Sequence, residues 1–181
     1  MDNQHPIDNF IANNIISKIA PILFKLQMTP NHITILGLII GLMSSYFLYV
    51  NSIILFITFW CSSYLMDCLD GYYARKYNMT SQFGDYLDHL SDVTKTVCLF
   101  YVLHMKYNYF KNYILFALFC IIFFMQLTHI GCDQKNKNKD NKSLKPLKKL
   151  CTNNPNWLRY FGSPTIILYF IFVVIYFSIG K

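Results

Sequence analysis

Five apolar blocks divided by short polar breaks constrain this chain more than any other feature. They run from about Asn31 to Val50, Ser52 to Met66, about Asp85 to Met105, Tyr113 to Ile130, and Pro164 to Ile179. A helix needs about 20 mainly apolar residues to cross the hydrocarbon layer, within a range of roughly 17–25. Backbone polar groups there must pair among themselves, which leaves helices or closed barrels. Blocks of this length predict an all-α polytopic transmembrane helix bundle with about five spans. Charged residues make up 14% of the 181 and hydrophobic ones 54%. A soluble domain carries about 25% charged residues, so a soluble enzyme, a disordered tail and a secreted disulfide scaffold all fit poorly.

Residues 1–29 have a different pattern. Ile7, Ile11, Ile15, Ile19 and Leu23 recur every four residues, with Phe10, Ile22 and Leu26 beside them. Asn9, Asn13, Ser17 and Lys18 take the opposite face. This predicts an amphipathic interfacial helix, bent at Pro21 or packed on the bundle, ahead of a transmembrane domain over 30–181. No basic leader precedes an apolar core, so no cleavable signal peptide is expected.

The net charge is +7, but half of the sixteen Lys and Arg fall within residues 131–160. A basic loop between two apolar blocks points to the cytoplasm and to membrane lipids, with no nucleic acid among the partners. With a cytoplasmic N-terminus, twelve cations lie inside, Lys106, Lys111 and Lys181 lie outside, and Lys95 falls within the third block. That orientation puts the break at 72–84 on the cytoplasmic side and makes 135–142 a flexible loop. The six cysteines show neither C-x-x-C nor zinc-finger spacing, so neither a disulfide framework nor a zinc site is expected.

Residues 66–92, MDCLDGYYARKYNMTSQFGDYLDHLSD, carry the chemistry. The second block reaches spanning length only if its helix continues past Asp67 and Asp70, and the third only if it includes Asp88 and Asp92. Separations of three and four place each pair on one helix face. Two helices joined by a short break are antiparallel, so the pairs converge at one depth. Intramembrane acids cost roughly 2.5–3.5 kcal/mol each on insertion scales and mark function. Divalent cations resolve their repulsion: carboxylate oxygens are hard ligands for Mg²⁺, Mn²⁺ or Ca²⁺. Four carboxylates suit a two-metal site acting on a phosphoryl group. Gly71 allows close approach to the backbone, Arg75 offers a planar fork to phosphate oxygens, and Ser81 and Gly84 flank the third helix.

Asp67-x-x-Asp70-Gly71-x-x-Ala74-Arg75, eight residues, Gly84-x-x-x-Asp88-x-x-x-Asp92 resembles the signature of the CDP-alcohol phosphotransferases at all eight specified positions. Thr29-Pro30-Asn31-His32-Ile33-Thr34 is similar to the Pro-Asn-x-x-Thr segment of that family. The resemblance implies transfer of a substituted phosphate from a CDP-linked alcohol to a lipid or polar alcohol, with release of CMP. It implies Asp67, Asp70, Asp88 and Asp92 as ligands of Mg²⁺ or Mn²⁺, with Asp92 also the catalytic base. Pro30, Asn31, Gly71, Arg75, Ser81 and Gly84 would face the CDP part. His129, Lys135 and Arg159 are candidates for an anionic acceptor, and His89 is similar to the choline and ethanolamine branch. The family has six core spans against the five counted here, a difference that a homodimer would offset. The expected location is a multi-pass membrane position with the active site on the cytoplasmic side.

Two other classes compete. An ion or proton transporter using intramembrane carboxylates would set polar residues at several depths, yet the fourth and fifth blocks are almost wholly apolar. An inactive relative serving as a scaffold would not keep all eight positions.

Overall fold

A computed structural model describes residues 5–136, 145–151 and 156–179. Seven α-helices and several short turns occur among them, and no strand. The first pieces are α1 (Pro6–Ile11), a π-helical turn (Ala12–Ile16) and α2 (Ser17–Lys25). The long helices are α3 (Pro30–Tyr49), α4 (Ile53–Lys76), α5 (Gln82–Tyr107) and α6 (Tyr113–Asn136), followed by α7 (Ser163–Ile179).

By length and apolarity, α3, α4 and α6 can each cross a membrane, while α7 is a shorter apolar helix. α5 has 26 residues, about 39 Å at 1.5 Å per residue, and is the most charged of the long helices. Its outward stripe of Phe83, Tyr86, Leu90, Val93, Val97, Tyr101 and Met105 is at least 60% exposed at every position, as a lipid-facing surface would be.

α3 and α4 are joined by a three-residue turn and pack antiparallel along their length, with α5 against α3. Small residues make that closeness possible. A Cβ at Gly37 would stand 3.0 Å from Met66 Cβ, so the helices touch there almost backbone to backbone. Interhelical hydrogen bonds follow the same seam. Ser63 Oγ donates to the Gly37 carbonyl at 2.9 Å, and Ser44 Oγ donates to the Phe56 carbonyl at 3.1 Å.

The two ends of the bundle are built differently. At one end Leu48, Phe56, Trp60, Leu99, Leu103, Tyr109, Phe170 and Val173 form an aromatic-rich core that closes α3, α4, α5 and α7 together. At the other, Ile11, Ile16 and Ala20 pack against Ile33, Tyr64, Leu69 and Tyr73. The N-terminal segment therefore covers the end of α4 that carries the acids, with the Tyr64 hydroxyl donating to the Asp8 carboxylate.

This segment also corrects the expected four-residue stripe. The buried positions are Ile11, Ile16 and Ala20, whereas Ile15 and Ile19 are exposed. The π-helical turn inserts one extra residue and rotates the buried face. It ends just before Ser17, the residue whose carbonyl the ring of Pro21 crowds. The irregularity expected at Pro21 thus lies one turn ahead of it.

Three other boundaries move. The break at 72–84 shrinks to residues 77–81, because α4 runs through Arg75 and Lys76. Lys135 lies on the last turn of α6, not in a loop, while 137–142 falls outside the described residues. Cys132 and Cys151 are joined in a disulfide, where isolated thiols were expected. With Leu158 and Met125 they make a small separate core under the α6–α7 connection. Gly131 has no side chain to block the Leu147 backbone, which lets Lys145–Leu150 lie against α6. The nineteen-residue separation hid the pairing.

Candidate active site

Capping fixes how α3 and α5 begin. Thr29 Oγ1 accepts from the His32 amide and His32 Nδ1 accepts from the Thr29 amide, both at 3.4 Å, with Pro30 in the first helical turn. Ser81 Oγ caps α5 by accepting from the Gly84 amide at 3.0 Å. A Cβ at Gly84 would lie 3.1 Å from Asn31 Oδ1, so the two helix starts adjoin. Pro30, Asn31, Ser81 and Gly84, far apart in sequence, thereby form one rim.

The acids lie deeper on the same side. Ligand oxygens of Asp67, Asp70 and Asp88 come within 4.8 Å of one another, drawn from two helices. Asp70 is 5% exposed, and its Oδ2 accepts from the Thr34 hydroxyl at 2.6 Å. Asp67 Oδ2 meets Lys95 Nζ at 2.6 Å, while Asp67 Oδ1 is buried with no hydrogen-bond partner. A buried carboxylate oxygen without a donor is costly. An orphaned oxygen within a set of three hard carboxylates fits a divalent cation.

Asp92 stands apart from this trio. Its side chain is 56% exposed and is held at 2.9 Å by Lys95, three residues further along α5. Three of the four acids therefore share a cradle, and the fourth is attached to it through Lys95. His89 lies near both Asp85 and Asp88, at 3.8 and 3.9 Å.

Arg75 is exposed and folds over Gly71: a Cβ there would lie 3.2 Å from Nη1. Its guanidinium is thus folded back to the level of Gly71, the residue after Asp70. The acceptor candidates do not gather at the acids. Lys135 Nζ donates to the Cys151 carbonyl at 3.4 Å, and the exposed Arg159 lies over the Tyr160 ring at 5.0 Å. His129 is half-buried on α6.

Two groups of this site escaped the sequence-based analysis as functional residues. Lys95 counted only as a cation within a span, although an intramembrane charge is itself a signal. Thr34 was legible only as part of the similarity at 29–34, and its role as a donor to Asp70 needed the α3–α4 register.

The chain is similar to several known proteins. Residues 27–178 match the family model described as CDP-alcohol phosphatidyltransferase. An archaetidylinositol phosphate synthase of Pyrococcus horikoshii is 36% identical over 77 residues, 42% of this chain and 41% of that protein. A CDP-diacylglycerol–inositol 3-phosphatidyltransferase of Arabidopsis thaliana is 30% identical over 126 residues, 68% of this chain and 53% of the relative. The chain thus spans about half or less of the length of these curated relatives. A crystal structure of phosphatidylinositol phosphate synthase from Mycobacterium tuberculosis, with CDP-DAG bound, superposes with a TM-score of 0.49 at 18% identity. That superposition covers 91% of this chain and 88% of that one. With its model matched over nearly the whole sequence and all eight signature positions present at one end of the bundle, the chain belongs to the CDP-alcohol phosphatidyltransferase family.

Proposed function

We propose that this chain transfers a phosphatidyl group from CDP-diacylglycerol to a hydroxyl of an inositol-type polyol and releases CMP, as a step of membrane phospholipid synthesis. The observation that carries the reaction class is the trio Asp67, Asp70 and Asp88, with Asp70 buried and the other two half-buried, and with Asp92 beside it and more open to solvent. The choice of donor and acceptor draws on the names of the relatives, which share inositol. Lys135 bonds the Cys151 carbonyl and Arg159 lies over the Tyr160 ring, which favours an uncharged acceptor over a phosphorylated one.

Asp67, Asp70 and Asp88 would hold the divalent ion, with Asp92 linked to them through Lys95. When bound, Mg²⁺ or Mn²⁺ supplies positive charge against the diphosphate of the donor. Arg75 binds phosphate oxygens through its fork, and Gly71 leaves room for that fork above α4. Asn31, Pro30, Ser81 and Gly84 form the rim that receives the cytidine end. Asp92 takes the proton of the acceptor hydroxyl as that oxygen bonds to the lipid-side phosphorus. The bond from that phosphorus to the bridging oxygen breaks, and CMP leaves with the electron pair. Lys95 fixes where the Asp92 carboxylate points. The site faces the cytoplasm, on the side where the cations concentrate, and the protein works as a homodimer.

The test is CMP release by purified protein in nanodiscs with Mg²⁺ or Mn²⁺. CDP-diacylglycerol, CDP-choline and CDP-ethanolamine are each offered with inositol, inositol phosphate and glycerol phosphate. Turnover is expected with CDP-diacylglycerol and inositol, falling by about 10²–10⁴ in Asp92→Asn while the protein stays monodisperse. Full activity in Asp92→Asn, or in chelator, sinks the mechanism. Turnover confined to inositol phosphate or to CDP-choline overturns the assignment of acceptor or donor.

A further inference from the structure

Lys95 is 4% exposed and lies in the middle of a helix that crosses the bundle. Its ammonium bridges Asp67 Oδ2 at 2.6 Å and Asp92 Oδ1 at 2.9 Å. It is thus bonded to one acid of the trio and to the one signature acid outside it. No position in the signature Asp67–Asp92 specifies this lysine.

The placement is built into the fold. The spacing of three from Asp92 keeps both groups on one face of α5. The lysine stem runs through a groove that exists because residue 41 has no side chain. A Cβ on Gly41 would stand 2.5 Å from Lys95 Cδ, 2.7 Å from Cγ and 3.0 Å from Ser63 Oγ. α3 therefore holds the stem, α5 supplies it, and α4 receives its charge at Asp67. A surface lysine swinging toward the nearest acid would have no such channel.

We infer that Lys95 is a resident cation occupying the place of a second divalent ion, so that the acids of this chain bind one metal and not two. The inference rests on the metal-dependent function proposed above and sharpens it. A second ion bridging Asp67 and Asp92 would have to bind where the ammonium already sits, and two cations at that separation repel strongly in a poorly hydrated site. Asp67, Asp70 and Asp88 still offer carboxylate oxygens within 4.8 Å of one another for the single ion. Lys95 is a positioning residue in this scheme: it acts on substrate only through Asp67 and Asp92.

Manganese binding tests this without turnover. Purified protein in nanodiscs, free of substrate, is titrated with Mn²⁺ while electron paramagnetic resonance reports the free ion. The wild type is expected to bind one Mn²⁺ per chain, Lys95→Met two, and Lys95→Arg one. The second ion should bind Lys95→Met at least about tenfold more tightly than it binds the wild type. Gly41→Ala displaces the ammonium without removing it, and should also open the second position if Lys95→Met fails to fold. Two ions of similar affinity in the wild type, or a single ion in both folded variants, overturns the inference and leaves the metal-dependent reading intact. Absence of Mn²⁺ binding by the wild type and by Lys95→Met overturns that reading, and the role of Lys95 with it.

Discussion

Thr34→Val removes one hydrogen bond from the acid cradle and leaves the volume nearly unchanged. The Thr34 hydroxyl has one proton and two neighbouring acceptors, Asp70 Oδ2 at 2.6 Å and the Pro30 carbonyl at 3.1 Å. The shorter, charge-assisted bond takes the proton. Thr34 is 3% exposed and Asp70 5%, so water has little access to replace the lost donor. A hydrogen bond to a charged group is worth about 1.5–3 kcal/mol. At 1.4 kcal/mol per decade this corresponds to roughly a ten- to hundredfold change in an equilibrium. The bond fixes the rotation of the carboxylate and hence the oxygen Asp70 presents to Asp67 and Asp88. Its loss should therefore weaken Mn²⁺ binding by that factor, because a metal-ligating carboxylate held by a hydrogen bond loses its orientation without it. The assay is the midpoint of Mn²⁺ titration in Thr34→Val beside Thr34→Ser, which keeps the hydroxyl and should stay close to wild type. A Thr34→Val midpoint within about twofold of wild type, in folded protein, would refute the assignment of Asp70 as a ligand oriented from α3.

Four further outcomes are expected. Gly37→Ala places a methyl 3.0 Å from Met66 Cβ and 3.2 Å from Asp67 Oδ1, an overpacking worth about 1–3 kcal/mol, and should lower the thermal midpoint of the detergent-solubilised protein. Gly71→Ala and Arg75→Lys both disturb the guanidinium above α4, and each should raise KM for the CDP-linked donor about tenfold more than it lowers kcat. Cys132→Ser opens a loop of nineteen residues and should cost about 3 kcal/mol on loop-closure grounds. In sealed vesicles of known orientation, an impermeant maleimide should label the reduced pair only from the cytoplasmic side; labelling from the opposite face alone contradicts the orientation drawn from the cations.

The spans and the acids were legible because both are local patterns. A block of apolar residues reports its own burial in lipid, and Asp67/Asp70 or Asp88/Asp92 share a face by spacing alone. The one failure of a local pattern is instructive. The four-residue ladder Ile7 to Leu23 has the period of a regular helix, yet the buried residues are Ile11, Ile16 and Ala20. Pro21 and its upstream carbonyl force an extra residue into the preceding turn, and the buried face leaves the ladder after Ile11, passing to Ile16 and Ala20. Nothing in apolar periodicity reports such an insertion. The Cys132–Cys151 pairing was hidden for a different reason, since it depends on the path of a loop and not on any element.

What remained hidden at the site comes from α3, a helix that contributes no acid. Thr34 supplies the donor to Asp70, Gly37 admits the Asp67 carboxylate and Gly41 admits the Lys95 stem. These three residues lie one turn or little more apart, on the face of α3 turned to α4 and α5. Their meaning depends on contacts 30 to 54 positions away, which spacing within one helix cannot encode. In lipid the apolar surroundings offer helices little hydrophobic drive to associate, so the same small residues that seat the chemistry also hold α3 against α4. A larger residue at 37 should then damage association and metal site together, whereas Thr34→Val should damage the metal site alone. Measuring Mn²⁺ affinity and thermal midpoint on both variants separates the two. If Gly37→Ala lowered stability while Mn²⁺ binding was unchanged, α3 would be a packing partner at that position and not part of the site.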